Sequence, residues 1–280
     1  MAIKTYKPTS ASRRQMSTVD YSVLTVSKSS PLKLLTKHLK NKAARNHRGI
    51  ITVRHQGGGN KKTYRMVDFK QDKFDIPGRV ETIEYDPYRT AFIALVAYKD
   101  GERRYVVASH GMKKGDVIVT SETTPLKIGN RMALKNILVG AQVHNIEMQR
   151  GCGGKLIRSA GSAAEVLGHD AGYTTLKMPS KEVRRIVWDS LATVGQVSNV
   201  DWSLVNFGKA GRSRWMGIRP TVRGTAMNPC DHKYGGGEQR QPRGTKRPKD
   251  IWGNITGGKK TRNPNKWSNK LIVRRRPKIS

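Results

Sequence analysis

The chain has 280 residues, of which 54 are Lys or Arg and 20 are Asp or Glu, so its formal net charge at pH 7 is +34. Hydrophobic residues make up 36% of the chain, enough for a core over part of its length but not all of it. A compact chain with this charge repels itself unless a polyanion lies beside it, which excludes an ordinary free-standing metabolic enzyme as the leading interpretation and puts nucleic acid first among partners.

Cysteine use and hydropathy exclude further classes. Cys152 and Cys230 form no CxxC pair, so we expect neither a disulfide scaffold nor a zinc ribbon, and a reducing compartment fits. The longest run without polar residues is residues 91–98, far short of the roughly 20 residues of a membrane span. The first 20 residues have no apolar stretch; they weakly resemble a transit peptide, and a basic extension is the simpler interpretation.

Residues 1–60 are predicted to form a basic N-terminal arm, because they hold 12 basic residues and 1 acidic residue. One short helix is predicted in this arm. Ser30 is a suitable N-cap, Pro31 suits the first helical position, and leucines at helical spacing continue the pattern to about Lys40.

The arm ends in three glycines bracketed by donors, within residues 54–62. Glycines let backbone N–H groups approach a phosphate closely, and neighbouring Lys and Arg neutralise it; a flexible linker is the alternative. The predicted RNA contacts around this run are Arg54, His55, Gly57, Gly58, Gly59, Lys61, Lys62 and Arg65.

Residues 61–128 read as short strands rich in Val, Ile and aromatic residues. Asp100-Gly101 between two apolar runs is a strong hairpin signal. Five strands in about 60 residues predict a small closed barrel of the OB type. The predicted strands are residues 64–69, 79–85, 91–98, 104–108 and 117–120.

Residues 129–200 contain a second set of strands separated by glycines, which predicts a second small barrel. At about 70 residues each barrel is marginally stable alone, so we expect the two to pack on one another or on a partner. The predicted strands are residues 137–139, 142–147, 155–158, 174–178 and 183–188.

Arg89 and Arg158 stand at the ends of predicted strands. An arginine on a loop of a rigid barrel is well placed to bind phosphate. A surface salt bridge with an acidic residue of the barrels is an equal alternative.

Residues 201–280 are predicted to form an extended basic C-terminal arm, with 20 basic and 4 acidic residues and no helical periodicity. Four tryptophans distinguish it from an ordinary disordered tail, so we expect it to order against a surface. Arginine binds phosphate with a planar fork, and tryptophan stacks on bases. The predicted RNA contacts of residues 208–224 are Lys209, Arg212, Arg214, Trp215, Arg219 and Arg223.

Two segments of this arm approach functional motifs. Residues 253–260 nearly spell a P-loop, but Lys260 replaces the Ser or Thr that ligates magnesium, and no strand precedes it. Residues 227–238 hold His232 beside Cys230 and Asp231, too few ligands for zinc and a poor geometry for an acid–base dyad. We therefore predict no catalytic or metal-ligating residues, and RNA contacts at His232, Gly235, Gly236 and Gly237.

Seven segments in order resemble the universal large-subunit ribosomal protein two family, in its bacterial or organellar form. The resemblance runs from about residue 6 to residue 276. The segments are residues 54–59, 83–87, 100–105, 143–147, 158–161, 208–212 and 227–229.

The resemblance implies a mainly β fold, with an OB-type barrel followed by an SH3-like barrel and extended basic arms at both ends. It implies a non-enzymatic protein of the ribosome that binds large-subunit ribosomal RNA, supports subunit association and helps organise the peptidyl-transferase region. By matching position, Arg89 and Arg158 resemble the family's RNA-contacting arginines, and His232 the family histidine once proposed to assist peptide transfer.

The implied partners are large-subunit ribosomal RNA, small-subunit ribosomal RNA across the subunit interface, and neighbouring ribosomal proteins. Neither a membrane nor a small-molecule substrate is expected. No cofactor is expected either, apart from magnesium that the RNA itself holds. The expected location is the ribosome in the cytoplasm, or in an organelle matrix or stroma if the chain is organellar.

The chain departs from the family pattern at a few positions. Asn60 and Cys152 stand where the family usually has His and Lys, and Lys233-Tyr234 replaces Pro-His. An enzyme that acts on RNA and a DNA-compacting protein are the alternative functions. The first would need a catalytic constellation, and strong preference for folded RNA over duplex DNA would exclude the second.

Overall fold

The computed structural model of the protein describes residues 3–25, 31–238 and 244–277. The strands are β1 (Ile3–Thr5), β2 (Ser17–Val19), β3 (Thr36–His38), β4 (Thr63–Arg65), β5 (Gly78–Glu84), β6 (Ile93–Tyr98), β7 (Arg103–Val107), β8 (Val117–Ile118), β9 (Arg131–Ala133), β10 (Gln142–His144), β11 (Ala164–Asp170), β12 (Tyr173–Lys177), β13 (Val183–Val187), β14 (Leu191–Val194) and β15 (Ile272–Arg274). The helices are α1 (Ala11–Arg14) and α2 (Ala210–Trp215), with 3₁₀ turns at Tyr21–Val23, Lys33–Leu35, Leu134–Asn136, Val200–Leu204, Gly224–Ala226 and Trp267–Asn269. None of the helices in these described ranges has the length and apolarity needed to cross a membrane.

The first barrel is built on a four-stranded antiparallel sheet in the order β7-β6-β5-β8. Strand β6 is buried on both faces, because Ala94 and Val96 belong to one hydrophobic cluster and Ile93 and Leu95 to another. This double burial explains why its sequence is a continuous apolar run. The predicted hairpin at Asp100-Gly101 is confirmed: it joins β6 to β7, and Gly101 has φ +86°.

The second barrel contains a seven-stranded antiparallel sheet in the order β15-β13-β12-β11-β10-β14-β9. Its core includes Leu134, Ile146, Val166 and Leu176, each with no exposed surface. The C-terminal strand β15 pairs with β13, so a segment near the end of the chain forms the edge strand on that side of the sheet. The fold is mainly β, and its sheets curl into an OB-type barrel followed by an SH3-like barrel, as predicted.

The helix predicted up to Lys40 is wrong. A single 3₁₀ turn, Lys33–Leu35, is followed at once by β3, which pairs with β4 in the register Thr36↔Arg65. Tertiary contacts override the leucine spacing here: Leu35 packs on the cluster of Ile93, Leu95 and Tyr105. The proposed cap, Ser30, lies outside the described residues.

The strand predictions for the second barrel need two corrections. Residues 137–139 are not a strand, and residues 155–158 form only one bridge, between Leu156 and Ile146. The missed strands are β9, β11 and β14. Gly168 is not one of the glycines that separate strands, because it lies at a bulge inside β11.

The chain forms two compact units. The described parts of residues 1–40, 61–212 and 270–280 form the barrel unit, and those of residues 41–60 and 213–269 form the loop unit. Both predicted arms are thus divided between the units. The arms also contain regular elements that the sequence did not predict: the β1–β2 pair, helix α2 and strand β15.

His144 gives the barrel unit a specific pH dependence. Burial lowers its pKa from 6.5 to about 4, because the imidazolium would lose its hydration. The unfolded chain therefore binds this proton near pH 6.5, whereas the folded chain does not. The free energy of unfolding consequently decreases as the pH is lowered from about 6.5 to about 4. We expect the loss from His144 to reach about 3 kcal/mol by pH 4.

Denaturant unfolding of wild type and His144→Gln at neutral pH and near pH 4 measures this contribution. The variant should be less stable at neutral pH but should lose less stability on acidification. Equal pH dependence of the two proteins would contradict the assignment to His144.

Candidate nucleic-acid interface

A cleft of about 620 Å³ lies on the barrel unit and is lined by residues of both barrels. Its positive charge comes from Arg89, in the turn after β5, and from Arg158, in the segment after β10. The guanidinium carbons of both lie over the ring of Phe69, at 5.3 Å for Arg89 and 4.3 Å for Arg158. The structure thus brings together two arginines that the sequence separates by 69 positions.

The two arginines differ in whether an acidic residue neutralises them. Arg89 donates from Nε to the carboxylate of Asp86, which is fully buried, at 2.6 Å. This is the salt bridge that the sequence left open as the alternative for Arg89. Arg158 is exposed and donates to the carbonyl oxygen of Gly154 at 3.2 Å; within the described residues it has no acidic partner. Its positive charge therefore remains available to an anion.

Sequence reasoning missed the aromatic side chains of this cleft. Tyr64 and Tyr88 meet edge to face, with ring centroids 5.4 Å apart and an interplanar angle of 82°. The ammonium of Lys62 lies 6.0 Å from the Tyr88 ring centroid, while Lys61 is exposed beside it. Basic and aromatic residues alternate in residues 62–69 and 88–89, and this alternation could have predicted the cleft. The sequence predictions used this criterion for the C-terminal arm alone.

Arg65 is a different case from its neighbours. Its side chain is 5% exposed, and its Nη1 donates to the carbonyl oxygen of Thr63 at 3.0 Å. The strand position of Arg65 in β4 turns the side chain inward, since successive residues of a strand point to opposite faces. Arg65 is therefore not presented to a ligand, and its prediction as a phosphate contact is not supported by its position.

In the loop unit, the three glycines of residues 57–59 contact the chain itself. The Gly57 N–H donates to the carbonyl oxygen of Gly217 at 2.9 Å, and the Asn60 N–H donates to that of Trp215 at 2.9 Å. A Cβ atom on Gly59 would lie 2.8 Å from the Cα of Gly217. The glycines thus permit two backbone segments to touch, a role that neither the phosphate cradle nor the linker interpretation anticipated.

This backbone contact joins two segments that were predicted as separate RNA contacts. The Arg219 N–H donates to the carbonyl oxygen of His55 at 3.0 Å, and the His55 Nδ1 lies 3.0 Å from the carbonyl oxygen of Pro220. The joined segments expose Arg54, Arg219 and Arg223, and none of these three forms an ion pair in the described chain. All three lie in the two segments that the contacts of His55 join, and we call them together the arginine surface.

The other predicted contacts of this region lie around helix α2. Lys209 and Trp215 are exposed, with Trp215 at 51%. Arg214 is half-buried, and so is Arg212, whose Nη1 donates to the carbonyl oxygen of Ser17 at 3.0 Å and whose guanidinium lies 5.4 Å from the Phe207 ring. Arg212 therefore has a structural role in the barrel unit, whatever else it contacts.

His232 is fixed by its own loop. The Tyr234 N–H donates to its Nδ1 at 3.1 Å, so a neutral ring carries its proton on Nε2. A Cβ on Gly224 would lie 2.5 Å from the imidazole, and one on Gly235 would lie 2.3 Å from the carbonyl oxygen of Asn228. Gly236 and Gly237 have φ of +79° and +83°. The loop is a folded structure that depends on its glycines, with Gly237 at its exposed end.

No cluster of three His, Cys, Asp or Glu side chains in the described residues could hold a metal ion. The expectation that the chain carries no cofactor of its own stays a prediction. Around residues 253–260 there is one isolated bridge, between Lys249 and Ile255, and no strand precedes the segment within the described residues 244–252. It therefore lacks the strand-to-helix context of a phosphate-binding P-loop.

Two family models match the chain. The model for the RNA binding N-terminal domain of Ribosomal Proteins L2 matches residues 32–120, and the model for the C-terminal domain of Ribosomal Proteins L2 matches residues 127–253. Together they cover well over half of the chain, which confirms the resemblance read from the sequence. The chain belongs to the ribosomal protein L2 family, and it is an RNA-binding protein of the large ribosomal subunit.

Proposed function

We propose that the protein anchors large-subunit ribosomal RNA, supports association with the small subunit through its ribosomal RNA, and helps organise the peptidyl-transferase region without catalysing the reaction. The observation that carries the proposal is the distribution of unpaired charge. The barrels are nearly charge-balanced, and many of their charged groups pair with each other, as Arg103 does with Glu81 and Lys177 with Glu165. The arginine surface and Arg158 have no such partners in the described chain, so their charge is available to phosphate.

A structural role for His232 follows from its surroundings. A general acid or base needs a group that orients it for proton transfer and access to the reacting atoms. Here the ring accepts a hydrogen bond from the backbone of its own loop and packs on Gly224, and the acid next to it, Asp231, is exposed. These contacts support a residue that shapes an RNA-contacting loop.

The experiment is reconstitution of large subunits with wild-type protein or with His232→Ala, followed by measurement of subunit yield, subunit joining and single-turnover peptide-bond formation. We expect lower yield or joining for His232→Ala, with the chemical step in full-composition particles nearly unchanged. A general acid or base would instead contribute about 10²–10⁴-fold to that step.

Two controls sharpen the result. His47→Ala removes an exposed histidine of the same unit and should change nothing. Gly235→Ala should lower the yield more than His232→Ala does, because its Cβ collides with backbone, whereas Gly211→Ala meets no atom within 4 Å and should be neutral. A chemical step slowed a hundredfold or more in correctly composed His232→Ala particles would overturn the proposed role.

The location of the protein is part of the same proposal: the ribosome, in the cytoplasm or in an organelle. Ribosomal RNA and neighbouring ribosomal proteins are its partners there. Co-sedimentation of the chain with large subunits after a high-salt wash supports it, and quantitative release by the wash with subunits otherwise intact would contradict it.

A further inference from the structure

We propose that the cleft of the barrel unit holds one unstacked nucleobase of the RNA, with its phosphate on Arg158. The inference rests on the proposed RNA-binding function and adds the kind of RNA that the cleft takes: a bulged or looped-out nucleotide. It follows from the way aromatic faces and an available cation are combined at one place.

The aromatic residues supply a stacking surface. Tyr88 is 42% exposed, although burial of a ring this size normally contributes to stability. The Tyr88 ring meets Tyr64 edge to face and has the ammonium of Lys62 6.0 Å from its centroid, and with 42% of the residue exposed, part of a ring face stays open to solvent. A base that enters the cleft can cover such a face, since every nucleobase has a π face.

The arginines fix what lies next to that base. Arg89 is neutralised by buried Asp86 and held against Phe69, so it acts as a rigid wall of the cleft. Arg158 lies on the same ring at 4.3 Å and has no acidic partner in the described residues. A planar fork of this kind binds a phosphate, and a phosphate next to a stacked base defines a nucleotide.

Duplex RNA does not offer this combination, because its bases are stacked on each other and paired. Bulges, loops and strand ends do, and they are the usual sites of base-specific RNA recognition. The volume of about 620 Å³ lies in the range of small-molecule pockets, which suits one nucleotide and excludes a helix of RNA. An acidic protein segment would match Arg158 but would leave the tyrosine faces without a planar partner.

The first test compares affinities of full-length proteins for large-subunit ribosomal RNA at one salt concentration. Tyr88→Ala should bind about 5- to 100-fold more weakly, the range found when a stacking aromatic residue is removed. Its slope of log affinity against log salt should equal that of wild type, because no charge is lost. Tyr88→Phe should bind like wild type, since the ring face is kept.

Phe74→Ala is the matched control, since Phe74 has the same exposed fraction of 42% and lies outside the cleft lining. It should leave the affinity unchanged. Arg158→Gln should weaken binding and also lower the salt slope by about one. Equal losses in Tyr88→Ala and Phe74→Ala would overturn the proposal, as would no loss in Tyr88→Ala.

The second test uses two hairpin RNAs of equal charge, one with a single bulged adenosine and one with an abasic residue at the bulge. Wild type should prefer the adenosine hairpin, and Tyr88→Ala should lose most of this preference. AMP in large molar excess should reduce the preference, because it offers the cleft the same base and phosphate, whereas ribose 5-phosphate at the same concentration should not. An unchanged preference in Tyr88→Ala would overturn the assignment of the base to this cleft.

These outcomes separate the two proposals. If wild type binds large-subunit ribosomal RNA no better than unrelated RNA of equal length, the proposed function itself fails. If wild-type binding holds while Tyr88→Ala behaves like wild type in both tests, only the base cleft fails. Loss of a ribosomal protein neighbour from Tyr88→Ala subunits, with RNA affinity intact, would assign the cleft to a protein.

Discussion

Raising the salt concentration from roughly 50 to 200 mM should weaken binding of the full-length protein to large-subunit ribosomal RNA by about 10³–10⁵-fold, the range for six to ten phosphate contacts. Each phosphate that a lysine or arginine neutralises releases condensed counterions, and added salt opposes that release. The first 60 and last 80 residues carry 32 basic and 5 acidic residues between them, so most of the excess charge lies there.

A triple variant locates this effect. Replacement of Arg54, Arg219 and Arg223 by Gln removes the arginine surface and should reduce the slope of log affinity against log salt by about two to three, at close to one per phosphate. The matched control replaces Arg103, Lys135 and Lys177 by Gln. It removes the same amount of positive charge, but from residues that are paired with Glu81, Asp189 and Glu165. Filter binding over a salt series measures both. Equal slopes in the two variants would show that net charge, and not this surface, sets the salt dependence.

The barrels could be predicted from the sequence because their signals are local. Apolar runs bounded by turn residues indicated β5, β6, β7, β12 and β13, and Asp100-Gly101 indicated the correct hairpin. The leucines of residues 32–39 misled, since Leu35 packs on the barrel through a tertiary contact that no local pattern reports, while Leu34 and Leu39 are exposed. Strand β14 was missed because Leu191–Val194 is short and buried on both faces, so it shows no alternation.

The candidate site was predictable in its composition but not in its assembly. Basic residues and glycines identified the segments at 54–59 and 208–224, but only folding shows that Gly57 and Gly217 touch and make one surface of two segments. Similarly, no spacing reveals that Arg89 and Arg158 share the ring of Phe69. Contacts between residues distant in sequence are the part that requires the structure.

The segment of residues 143–147, one of those that carried the family resemblance, lies in the interior of the second barrel. Arg131 and Glu147 form an ion pair at 2.9 Å with 0% and 1% of their side chains exposed, and burial lowers the pKa of the Arg131 guanidinium while the carboxylate opposes this. Arg131 also donates to the carbonyl oxygen of Asn145 at 2.7 Å, and the Gly151 N–H donates to Glu147 at 3.1 Å. These buried polar contacts hold the segment that leads to Arg158.

Glu147→Ala should therefore lower the free energy of unfolding by about 3–5 kcal/mol, because it leaves the Arg131 charge buried without its partner. Glu165→Ala breaks the Lys177 pair, whose side chains are 46% and 43% exposed, and should cost no more than about 1 kcal/mol. Replacing Arg131 and Glu147 together by Met should cost less than Glu147→Ala alone, since no charge is then left buried. Denaturant unfolding measures all three, and similar losses for Glu147→Ala and Glu165→Ala would contradict a buried pair.

Because the Asn145 N–H also donates to the carbonyl oxygen of Ile157, next to Arg158, Glu147→Ala should weaken RNA binding as well, even where the protein remains folded. The interior of the barrel would then set the position of an RNA contact that lies on its surface.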